Sequence, residues 1–495
     1  MSVIEHLKYI RSVGGKRRTQ GLSDDAICQF ATSDPDMAEA VEAAREQMDL
    51  LKNEFPDLVA MDEMDQIETI EAGLVNFYAD DTVNPYVSLA ARGPWIVTTK
   101  GAVLHDNGGY GMLGFGHVPA PVIKAMSGPQ VMANVMTPSF SQYRLIEALK
   151  KEIGRKRADG CPFNHFLAMN SGSESVSVAS RIADVNAKLM TDPGGRHEGK
   201  TVKKLSLKGG FHGRTGRPAQ FSDSTRSSYT KYLATFRGVE DLLTVEPNNV
   251  DALKKAFADA DAQNVFIEAI FMEPVMGEGD PGVAVTPEFY RAARELTEAH
   301  GALLLMDSIQ AGLRATGNLS LVDYPGFEGL PEPDLETYSK ALNAGQYPLS
   351  ILAMNPKAAE LYRKGIYGNT MTANPRAMDV GTAVLGMVTD EVRENIVARG
   401  HEFVDKIQAL ADELNGPITK VQGTGLLFSC ELTSDFKAYG TDSLEEYMRL
   451  NGIGVIHGGE NSLRFTPHFE VTSAEVDLIV ENLRDAVVNG PKKSD

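Results

Sequence analysis

The sequence predicts an α/β protein, with a large domain on a mostly parallel sheet and a smaller α+β domain beside it. Three observations carry this expectation. From Pro162 to Met306 short apolar runs alternate with amphipathic helical stretches, the order of a parallel sheet whose strands are joined by helices. One run, Leu303-Leu304-Leu305-Met306, stops abruptly at Asp307, as a buried central strand with a functional group at its carboxyl end would. From about Pro375 the texture changes to two long helices followed by separate strands, which is an α+β order.

Size and charge bound the rest. A chain of 495 residues is too long for one small core, so two domains or more are expected. Its apolar content of 42% and charged content of 23% are ordinary for a globular protein. The net charge of −19 argues against nucleic acid as a partner, because phosphate binding needs a basic face. No run of about 18 apolar residues is present to span a membrane. Cys28, Cys161 and Cys430 are scattered, and neither a disulfide framework nor a zinc pattern emerges. Met1 to His6 lacks the charged-then-apolar form of a signal peptide. A cytoplasmic protein is the expectation.

Taken in order, residues 1–90 read as a mainly helical extension. Met37 to Leu51 places Ala, Val and Met at helical spacing, and Asp62-Glu63-Met64-Asp65 reads as a solvated acidic face. Residues 91–125 form the N-terminal part of the small domain, where Trp95 to Thr99 and Ala102 to Asp106 predict a hairpin around Lys100-Gly101. Residues 126–375 form the large domain. Its strand candidates are Phe166 to Met169, Lys204 to Leu207, Val265 to Phe271 and Ala302 to Met306, with a helix from Pro287 to His300 before the last. Residues 376–495 form the C-terminal small domain. There Arg376 to Val388 and Glu391 to Leu414 read as helices, and Gly425 to Cys430 and Ser462 to Phe465 as strands. Thr472-x-x-Glu475 is a capping box that opens a last helix.

Several motifs carry chemistry. Lys340, in Ser339-Lys340-Ala341-Leu342, is a candidate imine-forming amine, and Asp307 a candidate partner for a protonated ring nitrogen. Together they are the minimum equipment of a pyridoxal phosphate site. Asn170-Ser171-Gly172-Ser173-Glu174 follows a strand and opens a helix, where backbone amides suit phosphate; its bland alternative is a plain serine N-cap. Phe211-His212-Gly213-Arg214 offers an aromatic ring for stacking, or else a core Phe with a polar turn. Glu273-Pro274 with Gly277-Glu278-Gly279, and Gly368-Asn369-Thr370 with Asn374-Pro375, are a glycine-rich strand end and a hydroxyl-bearing loop.

In this order and spacing, these motifs resemble the class III (subgroup II, ω-type) aminotransferases, from about Pro94 to Asn489. The resemblance implies the type I pyridoxal phosphate-dependent transferase fold, pyridoxal 5′-phosphate as cofactor and no metal. Lys340 would carry the cofactor as a Schiff base and shuttle the proton. Asp307 would pair with the ring nitrogen, Gln310 would reach the 3-oxygen and Phe211 would stack on the ring. Ser171, Gly172 and Ser173 would hold the phosphate. Thr370 would reach it from a partner subunit, so a homodimer or larger assembly follows. Glu278 and Arg464 match a pair that switches between substrates, and Arg214 a position that takes a substrate carboxylate in some relatives. The need is physical: a fixed buried arginine rejects a neutral or basic side chain, because its charge is left unpaired.

The chain departs from the family pattern at three places. Ser308-Ile309 stands for the usual Glu-Val after the aspartate, Met276 for a glutamine, and Arg314 is displaced by one position. The expected reaction is amino transfer, in ping-pong halves, from an ω-amine or a lysine- or ornithine-like diamino acid to a 2-oxo acid, 2-oxoglutarate in particular. The alternatives are a lyase or aminomutase on the same fold, or a non-catalytic relative.

Overall fold

The computed structural model describes residues 2–75, 84–133 and 137–493. The chain divides into two compact units, Met1–Ala120 with Ala398–Asp495, and Pro121–Val397.

The Pro121–Val397 unit holds a seven-stranded sheet. Across it run His165–Met169, Ser350–Met354, Leu335–Tyr338, Leu303–Asp307, Val265–Met272, Thr201–Leu207 and Leu242–Val245. Ser350–Met354 lies antiparallel to both its neighbours, and the pairs from Leu335–Tyr338 onward are parallel. Helix Gly172–Thr191 packs on this sheet through Val176, Val178, Ala179, Ile182 and Ala183 against Phe271, Leu303, Leu305, Leu335 and Leu352. Each large apolar side chain buried this way contributes about 1.5–3 kcal/mol of transfer free energy. The helix starts where a capping box stops it fraying: Ser171 Oγ accepts the Glu174 amide at 3.3 Å, and Glu174 reaches back to the Ser171 amide at 3.1 Å.

Parallel strands line up their carboxyl ends. Asn170-Ser171, Glu273, Asp307 and Ser339-Lys340 therefore come to one edge of the sheet, the edge where open α/β sheets bind ligands. Three strands of this sheet escaped the sequence reading: Leu242–Val245, Leu335–Tyr338 and Ser350–Met354. The first two are only four residues long, and Leu335–Tyr338 has Glu336 and Thr337 at its centre.

The other unit carries two four-stranded sheets. In one, the hairpin Trp95–Thr98 and Val103–Asp106 lies between Ser88–Arg92 and Ile453–Gly454. In the other, Ile418–Thr424, Leu427–Leu432, Ser462–Phe465 and Ile456–Gly458 are all antiparallel. Gly425-Leu426 is the turn of a hairpin rather than the start of a strand. Helix Pro35–Glu54 packs on Ser88–Arg92, and Lys100, at the hairpin tip, donates to Gly14 O at 3.0 Å, Val59 O at 2.9 Å and Met61 O. One ammonium thus satisfies three carbonyls of the N-terminal segment. The acidic stretch 62–65 is not wholly solvated: Glu63 is buried, and its Oε2 accepts the Arg18 and Thr19 amides at 2.7 Å each.

Glu475 closes the capping box of helix Ser473–Asn489, as the sequence predicts. Its Oε1 also lies 2.9 Å from His105 Nε2 and 2.7 Å from His468 Nε2, all three residues being buried. These are hydrogen-bond spacings, tighter than ligand atoms keep around a shared zinc ion.

Candidate active site

Lys340 opens a short 3₁₀ turn directly after strand Leu335–Tyr338, with a left-handed φ of 43°. That strained backbone aims the side chain out of the strand line. Its Nζ donates to Gln310 Oε1 at 2.9 Å. Gln310 sits in the turn after strand Leu303–Asp307 and packs so closely on Gly277 that a Cβ there would lie 2.5 Å from its side chain. A side chain at 277 would therefore displace the end of this glutamine.

Asp307 is buried and gripped from three sides. Its Oδ2 is 2.9 Å from His212 Nδ1, and its Oδ1 accepts from Thr337 Oγ1 at 3.2 Å and from the Ile309 amide at 3.3 Å. The carboxylate is thus held in one orientation at the strand end. Glu273, buried at the end of the next strand, ties two loops together: Oε1 accepts the Phe211 amide at 3.0 Å and Oε2 the Gly277 amide at 2.9 Å. Burial pushes this carboxyl up to about 7, with Asp307 adding to the rise and His212 opposing it.

The helix N-terminus at Gly172-Ser173 meets both neighbouring loops. A Cβ on Gly172 would strike Ile309, and one on Gly213, whose φ is 107°, would lie 2.6 Å from Ser173 Oγ. Ser171 spends its hydroxyl on the N-cap, so its contribution toward a phosphate is to order the amides behind it. Phe211 is half-buried, with the exposed Arg214 guanidinium 5.4 Å from its ring centre. Thr370 is exposed, in a loop fixed to the same helix start by Tyr367 and Asn369, which donate to Glu174 Oε1 at 2.6 and 2.7 Å. In the other unit, Arg464 is fully buried on strand Ser462–Phe465, 5.3 Å from the Tyr110 ring centre. Glu278 is half-buried. Arg314 is fully buried, and burial alone lowers its guanidinium to about 9.

These residues suit pyridoxal phosphate. An amine, an oriented carboxylate and a glycine-lined helix N-terminus share one sheet edge, the donor set for an aldehyde, a ring nitrogen and a phosphate. Four residues gain a part that sequence reasoning did not assign: His212, Glu273, Glu174 and Thr337. The first three lie inside motifs already singled out, but only burial and partners reveal their roles.

The family model for aminotransferase class-III matches residues 77–487. Ornithine aminotransferase 2 of Staphylococcus aureus is 28% identical over 408 residues, covering 81% of this chain and 93% of that protein. The ornithine aminotransferase of Staphylococcus carnosus is 27% identical over 406 residues, with the same coverage. Among solved structures, ornithine aminotransferase from Toxoplasma gondii superposes with a TM-score of 0.72 at 23% identity, over 88% of this chain and 98% of that one. Acetylornithine aminotransferase from Elizabethkingia anophelis gives 0.69 at 23%, over 86% and 99%. The two structures show the type I fold, and the family match shows the chemistry. The chain belongs to the class III aminotransferases, enzymes that move amino groups with pyridoxal phosphate.

Proposed function

We propose that this enzyme moves the terminal amino group of an ornithine-like diamino acid to a 2-oxo acid, 2-oxoglutarate being the acceptor. The observation that carries the reading is Lys340 Nζ, 2.9 Å from Gln310 in the turn that begins at Asp307. The substrate class is supported by the two curated relatives, both named ornithine aminotransferases and both matched over 81% of this chain.

Pyridoxal phosphate, when bound, supplies an aldehyde carbon that takes the amine and a ring that spreads the negative charge left on deprotonation. The chain supplies the rest. Lys340 would anchor that group, and its Nζ would move the proton at the amine-bearing carbon. Asp307, oriented by His212 and Thr337, would hold a proton on the ring nitrogen. Gln310 would take the 3-oxygen, and Phe211 would cover one ring face. Amides of Gly172 and Ser173, ordered by Ser171, would receive the phosphate.

Arg464 and Arg214 are our assignments for substrate carboxylates, and Glu278 for neutralising an arginine when a cationic donor enters. Arg464 is fully buried on its strand, and a guanidinium so placed suits an anionic ligand such as a carboxylate. Thr370 is assigned to a partner's phosphate, which its exposure allows. A homodimer is also supported by the apolar surface at Phe140, Tyr143 and Val131, 80, 63 and 67% exposed. Among described residues no helix is long and apolar enough to cross a membrane, and the three cysteines are unpaired; both suit the cytoplasm.

The test is product analysis with ornithine and 2-oxoglutarate. Stoichiometric glutamate supports transfer. Ammonia without glutamate overturns it in favour of a lyase.

A further inference from the structure

Ser308 stands where the family pattern places a glutamate, and a carboxylate is nevertheless beside it. Ser308 Oγ donates to Glu336 Oε1 at 2.6 Å. The same oxygen accepts the Leu321 amide at 2.9 Å, and Oε2 accepts Ser320 Oγ at 2.6 Å. Glu336 has no exposed surface and lies in the middle of strand Leu335–Tyr338. A carboxylate there is expensive to desolvate, and an apolar side chain would pack the strand more cheaply. Its presence there therefore asks for a reason outside packing.

Register supplies one. Strands Leu303–Asp307 and Leu335–Tyr338 are parallel neighbours, with Met306 opposite Glu336 and Asp307 opposite Thr337. Thr337 Oγ1 donates to Asp307, and Glu336 receives Ser308. Two consecutive residues of one strand thus hold two consecutive residues at the end of the next. The held turn runs from Asp307 to Gln310, whose side chain accepts Lys340.

We propose that Glu336 is a positioning residue of the active site, replacing from the adjacent strand the carboxylate that the family pattern carries at position 308. Through Ser308 it fixes the turn that presents Asp307 and Gln310 to the cofactor. The inference rests on the roles proposed above for Asp307 and Lys340. The hydrogen bonds from Ser308, Ser320 and Leu321 favour the ionised form, while burial raises the carboxyl to about 7. The balance makes the site sensitive to any change in those donors.

The test exchanges the two residues. Ser308→Glu alone forces two carboxylates into one buried space. Glu336→Ser alone leaves Ser308, Ser320 and the Leu321 amide without their acceptor. The exchange Ser308→Glu/Glu336→Ser restores one carboxylate, one hydroxyl and the total volume. Two quantities are read: the dissociation constant of pyridoxal phosphate from reconstituted apoprotein, and the pH midpoint of the bound cofactor's visible band. Each single change is expected to weaken cofactor binding by about tenfold and to move the midpoint, and the exchange to recover most of both, as coupled neighbours do. Additive losses in the exchange, or single variants with parental values, overturn the proposal. Should a single variant fail to fold, Ser308→Ala and Glu336→Gln, each removing one partner at nearly constant shape, are read in the same way: both must shift the midpoint, and an unshifted midpoint overturns the proposal. Failure of the Lys340 assignment is separately visible, because Lys340→Ala would then still bind the cofactor covalently.

Discussion

His212 Nδ1 stands 2.9 Å from Asp307 Oδ2, with both residues buried. The contact holds the carboxylate in one orientation, and the imidazole thereby orients the group assigned to the ring nitrogen. His212→Ala would leave Oδ2 without that partner in a dry site. A hydrogen bond to a charged group is worth about 1.5–3 kcal/mol, so kcat/KM should fall about 10- to 100-fold. Cofactor retention after dialysis should fall with it, and His212→Asn should recover part of both.

Gly277→Ala tests the packing behind the lysine. Its Cβ would lie 2.5 Å from the Gln310 side chain, which must move from its place against Lys340 Nζ. Activity should drop by about tenfold or more, the range for a displaced catalytic group, while circular dichroism of the variant stays parental. Parental activity would show that Gln310 has no part in holding the lysine.

Gly213→Ala faces two penalties at once. A φ of 107° disfavours any side chain, and the new Cβ would lie 2.6 Å from Ser173 Oγ. The backbone cost is about 1–2 kcal/mol. The displaced Ser173 hydroxyl should also weaken binding of inorganic phosphate to the apoprotein, measurable by calorimetry.

Stability should respond to pH in two opposite ways. Glu273 and Glu336 titrate near 7 in the fold, against 4.5 for an ordinary glutamate. Between these values the native chain binds more protons than the unfolded one, so stability falls as pH rises from about 4.5 to 7. Glu273→Gln and Glu336→Gln should each flatten that slope in urea unfolding of the apoprotein. Glu475 behaves in reverse. Burial works to raise it, but His468 and His105 outweigh that and hold it well below the usual carboxylate range. Its contribution is present above about 4.5 and is lost as pH falls. Glu475→Ala leaves two imidazoles and the Thr472 amide and hydroxyl without their acceptor. It should cost about 3–5 kcal/mol at neutral pH, read as a lowered urea midpoint.

The parts of the fold written as periodicity or end signals were legible in the sequence. Leu303 to Asp307 announced itself by an apolar run broken by a charge, and Thr472-x-x-Glu475 by its capping spacing. Lys340, Asp307 and Gln310 were legible as motif members. Glu336 was not: one charge in a four-residue strand looks like a turn until its neighbours are known. Glu273 and His212 were visible as letters, but their roles depend on burial and on partners 62 and 95 positions away. Glu63 misled for the same reason, since an acidic cluster reads as solvated when nothing in it records the two amides it caps.

Lys340 is assigned to hold the cofactor of an aminotransferase acting on an ornithine-like donor. The most direct measurement adds ornithine alone to the holoenzyme and follows the cofactor's visible band, then adds 2-oxoglutarate. Ornithine is expected to bleach the band and 2-oxoglutarate to restore it with one glutamate formed per site, and Lys340→Ala is expected to do neither. A band unchanged by ornithine, or one restored with release of ammonia and no glutamate, would contradict this assignment.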